Sequence, residues 1–275
     1  SSDWSSDVCS SDLEKELNLL DIQIQKVYFW KIMRFSIFMK IANYYGLYEQ
    51  AHLSLNYTSM QRKISNLKKI YNTEVNSYIS RKRAVDILIF EHPRKVKIGS
   101  KYIDIYTNSK VEEIKQSNFS YEVVDSPYLD KHYDKPNRFR SYSEDFGFKY
   151  KKYRKKYIFN LANEEKNVIY NIENRFFELF KINIKLENQI LSTIRGFSLR
   201  KKIIKEALEK RRVKKVYLVV SYGHEVLIAA CKELGIETIE IQHGTMSYYH
   251  PGYSFPYNTT VPYFPDKIEM LGEYW

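Results

Sequence analysis

Cysteine, proline and glycine are scarce in this chain of 275 residues, which contains two, seven and nine of them, respectively. Two cysteines are too few for a disulfide framework, and so little glycine and proline excludes collagen-like and proline-rich low-complexity proteins. Residues 27–46 are the most apolar stretch, but Lys31, Arg34 and Lys40 interrupt it, whereas a spanning helix needs roughly 18 apolar residues. We therefore expect a protein of a reducing compartment, with residues 27–46 as a buried helix or a helix on a membrane surface.

Positive charge and tyrosine are abundant instead. The chain has 44 Lys and Arg residues against 33 Asp and Glu residues, a formal net charge of +11, and 25 tyrosines. With 44% hydrophobic and 28% charged residues, the composition is that of a globular protein and not of a disordered one. The charge favours an anionic partner, although AT-rich coding DNA predicts the same excess of lysine.

The first thirteen residues differ in pattern from the rest. Ser-Ser-Asp occurs at residues 1–3, 5–7 and 10–12, with no apolar periodicity between the copies. The segment resembles a translated sequencing adapter, so we set residues 1–13 aside as artefactual or disordered. Cys231 is then the one remaining cysteine, and its apolar neighbours predict a small core residue.

Apolar spacing predicts helices early in the chain and strands after them. Residues 14–80 repeat apolar positions every three or four residues, as helices do. Residues 85–90 form a continuous apolar run typical of a strand buried on both faces. Residues 101–107 and 121–125 predict further extended segments, separated by a helix at 108–116.

The second half of the chain contains the clearest pattern. Residues 126–160 are polar and loop-like, and residues 163–212 predict one or two long helices with a break at Gly196. Residues 214–242 then predict a strand, a helix that ends at Gly235, and a second strand. Such a unit has parallel strands and a right-handed crossover. Another strand is expected from Lys267 to Leu271, followed by the start of a helix. We therefore expect the sequence, which stops at Trp275, to be truncated there.

Three of the six histidines follow predicted strands: His92, His224 and His243. Ligands of open α/β sheets bind beyond the carboxyl ends of the strands. His243 precedes Gly244, which permits a sharp turn, and Thr245, which adds a hydroxyl. A neutral imidazole in a cleft can take a proton from an attacking hydroxyl. On the dipeptide alone, a histidine that holds its loop through a backbone carbonyl is the simpler interpretation.

Two further residues lie near these strand ends. His224 begins a predicted helix, whose N-terminus favours an anion, although a simple capping role fits as well. Arg94 follows His92 and would pair with a phosphate or carboxylate, unless it is merely solvated. No spacing of His, Cys and Asp indicates a metal site.

Residues 236–275 contain features that resemble a known family. They are a strand that ends in Gln-His-Gly, a His-Pro-Gly-Tyr loop, and the segment Phe-Pro-Asp…Gly-Glu-Tyr-Trp. Together they resemble the end of the first domain of GT-B glycosyltransferases that make bacterial surface polysaccharides such as capsule. The His-Gly-Thr step is also similar to that of CDP-glycerol glycerophosphotransferases. The resemblance is specific over about 215–275, diffuse over 85–125 and does not extend to 14–80.

The resemblance implies an α/β fold, namely the Rossmann-like N-terminal half of a GT-B fold with a helical N-terminal region and a truncated C-terminal domain. Residues 14–262 would form the acceptor domain, with a helical segment at 14–80 and a parallel-sheet core at 85–262. Residues 263–275 would begin the missing nucleotide-sugar domain, and the active site would lie between the two domains.

For the site, the resemblance implies that His243 is the general base on the acceptor hydroxyl or contacts the donor phosphates. Gly244 and Thr245 would shape its loop, and His250 to Tyr253 would line the cleft. We add the strand-end residues His224, His92 and Arg94 as candidates for substrate binding.

The resemblance also implies the partners and the location. A nucleotide-sugar would be a substrate and not a cofactor, and the acceptor would be a glycan or a lipid-linked chain. The protein would work in the bacterial cytoplasm, with peripheral contact to an anionic inner membrane. Because the groups that hold the leaving diphosphate fall outside this sequence, we expect the fragment alone to be inactive.

Two basic runs leave other functions open. Residues 149–157 and 200–215 would suit anionic lipid headgroups, or simply form a solvated face. Tyrosine between lysines also suits single-stranded nucleic acid, but no nucleic-acid-binding motif supports it and we expect no such partner. The alternatives are therefore a sugar-nucleotide epimerase of the same fold, a CDP-glycerol-type glycerophosphotransferase, or a basic membrane- or nucleic-acid-binding module without catalysis.

Overall fold

The computed structural model describes residues 10–46, 59–155, 157, 159–246, 250–256 and 258–272. Predictions for residues 1–9, 47–58 and 273–275 lie outside the described residues. In chain order the helices and strands are α1 (Ser10–Glu16), α2 (Phe29–Tyr44), α3 (Ser59–Val75), β1 (Ile87–Phe90), β2 (Val96–Ile98), β3 (Lys101–Ile103), α4 (Asn108–Lys115), β4 (Tyr121–Asp125), β5 (Arg140–Tyr142), α5 (Phe148–Arg154), α6 (Asn163–Phe180), α7 (Glu187–Arg211), β6 (Lys215–Val219), α8 (Glu225–Glu233), β7 (Glu237–Ile241) and β8 (Lys267–Glu269).

The chain divides into two compact units, which we call the helical unit and the sheet unit. The helical unit comprises residues 1–54, 157–198 and 246–263, and the sheet unit comprises residues 55–156, 199–245 and 264–275. Helix α7 contributes residues to both units.

A buried ion pair organises the helical unit. Glu14 of α1 accepts hydrogen bonds from Arg34 Nε at 2.5 Å and from Trp30 Nε1 at 2.6 Å, both in α2. Arg34 also donates to the carbonyl oxygens of Pro251 and, at 2.8 Å, Ser254. A buried guanidinium needs such acceptors because an unpaired buried charge is strongly destabilising. Arg34 therefore ties the 250–256 loop to α2.

Residues 10–13, which the sequence interpretation set aside, form the first turn of α1. Leu13 is fully buried in the core of the helical unit. Burial of a leucine side chain stabilises a fold by about 1.5–3 kcal/mol. Part of the segment that resembles an adapter thus belongs to a helix of the fold.

The sheet unit is built on a six-stranded parallel sheet with the order β5-β4-β1-β6-β7-β8. Numbered by their occurrence in the chain, these strands run 3-2-1-4-5-6, the order of a doubly wound Rossmann-like fold. The expected α/β class and parallel sheet are confirmed. Strand β8 is the sixth strand of this sheet, paired with β7, although we had expected it to begin a further domain.

Buried residues cover both faces of the sheet. Ile87 and Ile89 of β1 pack in one cluster with Val111 and Ile114 of α4. Alternate strand residues point to opposite faces, and all four residues of β1 are buried, so the prediction of a strand covered on both sides is confirmed. Helix α8 packs against β7.

Several predicted segments differ in detail. Residues 101–107 contain only the short strand β3, which pairs with β2 outside the main sheet. The break between the two long helices falls at residues 181–186, where Lys181 adopts a left-handed conformation with φ of 51°, and Gly196 lies inside α7. The polar segment 126–160 contains β5 and α5. Among the helices that the structure describes, none has the length and apolarity to cross a bilayer.

Candidate functional site

The sheet brings the carboxyl ends of β1, β6 and β7 side by side. Strands β1 and β6 are neighbours although they are the first and fourth sheet strands of the chain. Chain connections leave this point in opposite directions, and ligands of open α/β sheets bind at such a switch point. His92 follows β1, His224 follows β6 and His243 follows β7.

Two of these three histidines meet. The rings of His92 and His243 are stacked, with centroids 6.0 Å apart and an interplanar angle of 18°. Tyr106 lies edge-on to both rings, at 5.4 Å from His92 and 6.2 Å from His243. Tyr222 lies edge-on to His243 at 6.3 Å. We call these four residues the strand-end site.

The backbone holds His92 in one orientation. The backbone N–H of His92 donates to Asp104 Oδ2 at 2.7 Å, and the ring Nδ1 accepts the backbone N–H of Arg94 at 3.0 Å. A neutral His92 therefore carries its proton on Nε2. Burial lowers the pKa of His92 below its ordinary value, against the opposing charge of Asp104. At neutral pH the ring is thus an uncharged group with one N–H to donate.

Gln242 orders the loop that carries His243. Its Nε2 donates to the carbonyl oxygen of Gly244 at 3.0 Å, and its Oε1 accepts the N–H of Leu271 at 2.7 Å. The backbone N–H of Gln242 donates to the carbonyl oxygen of Glu269 at 3.0 Å. Gln242 is almost fully buried, so these bonds are sheltered from water. The sequence interpretation quoted Gln242 in the Gln-His-Gly motif but gave it no role.

Gly244 and Thr245 are exposed beyond His243. The backbone of Gly244 is not left-handed, and a Cβ placed there meets no heavy atom within 4 Å. The chain bends at Gly244 as expected, but the bend does not require a glycine, and open space remains there for a ligand. The left-handed glycine of this region is Gly223, with φ of 101° in the turn from β6 to α8.

His224 packs against a different aromatic neighbour. Its ring lies edge-on to Phe90 at 5.8 Å and lines a cavity of about 120 Å³ together with Arg200 and Asp145. Burial lowers its pKa to about 4, with smaller contributions from the charge of Arg200 and, at acidic pH, from protonated His92, so it is neutral near pH 7.

His224 occupies the N-cap of α8, but its side chain makes no capping bond. Instead, the carboxylate of Glu225 accepts the N–H of Gly223 at 2.9 Å. A substrate anion at this helix N-terminus would therefore meet a carboxylate already in place.

The remaining predicted site residues are divided between the units. Arg94 is exposed in the sheet unit, close in the chain to His92. His250 and Tyr253 belong to the helical unit, where their rings are 5.1 Å apart and His250 also stacks on Phe35 at 6.2 Å. His250 Nδ1 accepts the N–H of Gly252 at 3.0 Å, and burial lowers the pKa of this histidine.

The chain is strained where β6 ends. Val220 has a φ of 68°, which a β-branched residue rarely adopts. The next residue, Ser221, is fully buried, and its hydroxyl has no hydrogen-bond partner among the described residues. Strained backbone and unsatisfied polar groups tend to occur at functional sites. Both features lie at the same edge of the sheet as the strand-end site.

His132, to which the sequence interpretation gave no role, is held between two carboxylates. Its Nδ1 lies 2.6 Å from Asp125 Oδ2 and its Nε2 lies 2.8 Å from Glu144 Oε1. The ring stacks on Tyr142 with centroids 3.6 Å apart. Burial alone would lower the pKa of His132, but these hydrogen bonds and charges raise it to about 9. Lys95 Nζ, 2.8 Å from Asp125 Oδ1, completes the surroundings of that carboxylate.

The second predicted basic run, residues 200–215, is largely paired within the sheet unit. Arg200 contacts Asp145, and Lys201 and Lys205 both contact Glu233. Arg211 is fully buried against Glu122 at 2.9 Å. This run is therefore a poor ligand surface, because most of its cations already neutralise carboxylates.

Within the described ranges, no group of three or more His, Cys, Asp or Glu side chains is arranged to hold a metal ion. Comparisons of the chain with protein families, with curated proteins and with solved structures gave no match.

Proposed function

We propose that this chain is the acceptor-side part of a GT-B glycosyltransferase that transfers a sugar from a nucleotide-sugar to a bacterial surface polysaccharide. The observation that carries the proposal is the stacked pair of His92 and His243 at the carboxyl edge of a Rossmann-like sheet. The Gln-His-Gly turn that resembles the family supplies one of the two rings.

In this proposal, His243 takes the proton of the acceptor hydroxyl while that oxygen forms a bond to the anomeric carbon of the donor sugar. The bond from this carbon to the phosphate oxygen breaks, and its electron pair leaves with the nucleoside diphosphate. His92 donates its Nε2–H to the acceptor and orients the attacking oxygen. Gln242 keeps the His243 loop in place through its bonds to Gly244 and Leu271.

The test is sugar transfer by the full-length gene product with His243→Ala and His243→Gln variants. A general base contributes about 10²- to 10⁴-fold to the rate, so both variants should lose that factor in kcat. Activity retained by His243→Gln would leave the histidine a merely positioning role. Release of free nucleotide and an epimerised sugar without any acceptor would favour the epimerase instead.

A membrane-binding function has its own supporting observation. Five apolar side chains on one face of α3 are exposed, at the spacing of a helical stripe: Met60, Ile64, Leu67, Tyr71 and Val75. The same helix carries four basic residues and a single acidic one, Glu74. A helix with an exposed apolar stripe and basic flanks suits the surface of an anionic bilayer.

The first predicted basic run lies next to this stripe. Its residues 149–154 lie in α5, none of whose residues is buried, and the N–H of Phe148 at the start of α5 donates to Glu74 Oε1 of α3 at 2.7 Å. Phe148 and Tyr153 of α5 are exposed as well. Each Lys or Arg close to an anionic surface adds about 1 kcal/mol of attraction. We therefore propose peripheral contact of α3 and α5 with the inner membrane.

Sedimentation with vesicles tests this contact. Binding should require phosphatidylglycerol, weaken in high salt, and be lost in the double variant Leu67→Glu and Tyr71→Glu. The control, Tyr170→Glu with Phe177→Glu, places the same charges on exposed apolar positions of α6 and should bind normally. Equal losses in both variants, or binding to single-stranded oligonucleotides in preference to vesicles, would contradict the proposal.

A further inference from the structure

A second cavity of about 530 Å³ lies in the sheet unit between α3 and the loop after β4. Its volume is in the range of small-molecule sites. His132, Tyr142 and Glu144 line it beyond the carboxyl ends of β4 and β5, and no residue of the strand-end site contributes. We call it the basic cavity, because three lysines also line it: Lys68, Lys69 and Lys131.

One wall of the basic cavity is rigid. His132 is clamped between Asp125 and Glu144 and stacked on Tyr142. Asn72 of α3 also donates to Glu144 Oε1, at 3.3 Å, and so links the helix to this wall. A ligand therefore meets side chains that are already oriented, which reduces the entropic cost of binding.

The wall contains an acceptor that no described residue uses. Glu144 Oε2 is buried and has no hydrogen-bond partner among the described residues. A buried carboxylate oxygen without a donor is costly, and a ligand hydroxyl that reaches it as the Glu144 side chain turns toward the cavity would remove that cost. Glu144 is thus suited to receive a hydrogen bond from a polyhydroxylated ligand.

The rest of the lining favours negative charge. The ammonium groups of Lys68, Lys69 and Lys131 and the cationic ring of His132 outnumber the carboxylates of Asp130 and Glu144. Lys69 pairs with Asp130 at 3.3 Å, which leaves an excess of positive charge from the other groups. Concave surfaces of one sign concentrate ligands of the opposite sign.

We propose that the basic cavity binds an anionic saccharide, with a sugar hydroxyl on Glu144 and a carboxylate or phosphate on the lysines. Binding itself does not depend on sugar transfer. The assignment of this saccharide as the acceptor rests on the proposed transferase function. In that case, the cavity selects acidic surface polysaccharides.

Calorimetric titration of the full chain without any donor tests the binding. The probes are glucuronate, glucose 6-phosphate, neutral glucose and inorganic phosphate. We expect one or both acidic sugars to bind at least about tenfold more tightly than glucose and than inorganic phosphate. The better of the two acidic probes identifies the anionic group. No binding of either acidic sugar, or equal affinity for phosphate alone, would overturn the proposal.

Two matched double variants localise the site. Lys68→Ala with Lys131→Ala removes two lining charges and should weaken binding about tenfold. Lys63→Ala with Lys135→Ala removes two exposed charges that do not line the cavity, one from α3 and one from the loop region after β4. Equal weakening in both variants would show general electrostatic attraction and reject the site. If the saccharide binds but sugar transfer fails, the binding inference stands and only the acceptor assignment is lost.

Discussion

The imidazoles of His92 and His243 are stacked, with ring centroids 6.0 Å apart and planes 18° from parallel. Two imidazolium ions this close would repel each other, so at least one ring must be neutral for the pair to persist. His92 is suited to be the neutral ring, because its Nδ1 accepts a backbone N–H and burial lowers its pKa.

The titration of His92 should therefore lie below the ordinary histidine pKa of 6.5. Nitrogen NMR of the labelled protein should show the neutral Nε2–H tautomer of His92 at pH 7. A His92 pKa above 6.5, or a proton on Nδ1, would contradict this geometry. His92→Gln is the variant that assigns the resonance.

Gly223 and Gly244 should respond differently to the same substitution. Gly223 has a φ of 101°, which penalises any side chain, whereas Gly244 is not left-handed and has open space around it. We expect Gly223→Ala to lower the free energy of unfolding by about 1–2 kcal/mol and Gly244→Ala to change it by less than about 0.5 kcal/mol. Urea denaturation measures both, and equal effects would contradict the backbone conformations described here.

His132 should make stability fall at alkaline pH. Its pKa is raised from 6.5 to about 9, so the stability that it contributes is fully present below about pH 6.5 and is lost as pH rises through about 9. The full shift corresponds to about 3 kcal/mol at most. Denaturation of the wild type between about pH 6.5 and 8.5 should show a decline that His132→Gln lacks. Parallel curves for the two proteins would reject the raised pKa.

His224 should make the stability of the fold decrease at acidic pH. Its pKa is lowered to about 4, so its contribution is present above about pH 6.5 and is lost as pH falls toward 4. The wild type should lose unfolding free energy over this window, and His224→Gln should lose less. Measurements at about pH 6.5, 5.5 and 4.5 cover this window, and the difference between the two proteins isolates His224 from the carboxylates that titrate in both. An identical acid slope in the variant would show that His224 protonates freely in the folded protein.

Local patterns predicted much of the sheet. The apolar runs around Ile87–Phe90 and Lys215–Val219 became buried parallel strands, because continuous β-branched and aliphatic sequence needs cover on both faces. The prediction of a helix break at Gly196 was wrong, since one glycine costs only about 1 kcal/mol of stability in a helix. Packing of α7 outweighs that cost.

The site was predictable only in part. His92 and His243 were identified because both follow strands, and the parallel sheet aligns strand ends. His132 was missed because it lies in a loop after β4. Its partner Glu144 follows β5 in the chain, and only the fold brings the two side chains together. The pairing of the second basic run was missed for a similar reason, since Glu122 and Asp145 are distant from it in the chain.

The sequence by itself determined the class of fold and the strand ends at which histidines occur, because hydrophobic periodicity is a local property of the chain. Only the tertiary structure decided that His92 and His243 meet while His224 packs against Phe90, and that His132 joins two carboxylates. These contacts depend on the order of the strands in the sheet and on the paths of the loops between them. Both bring together residues that no local pattern connects.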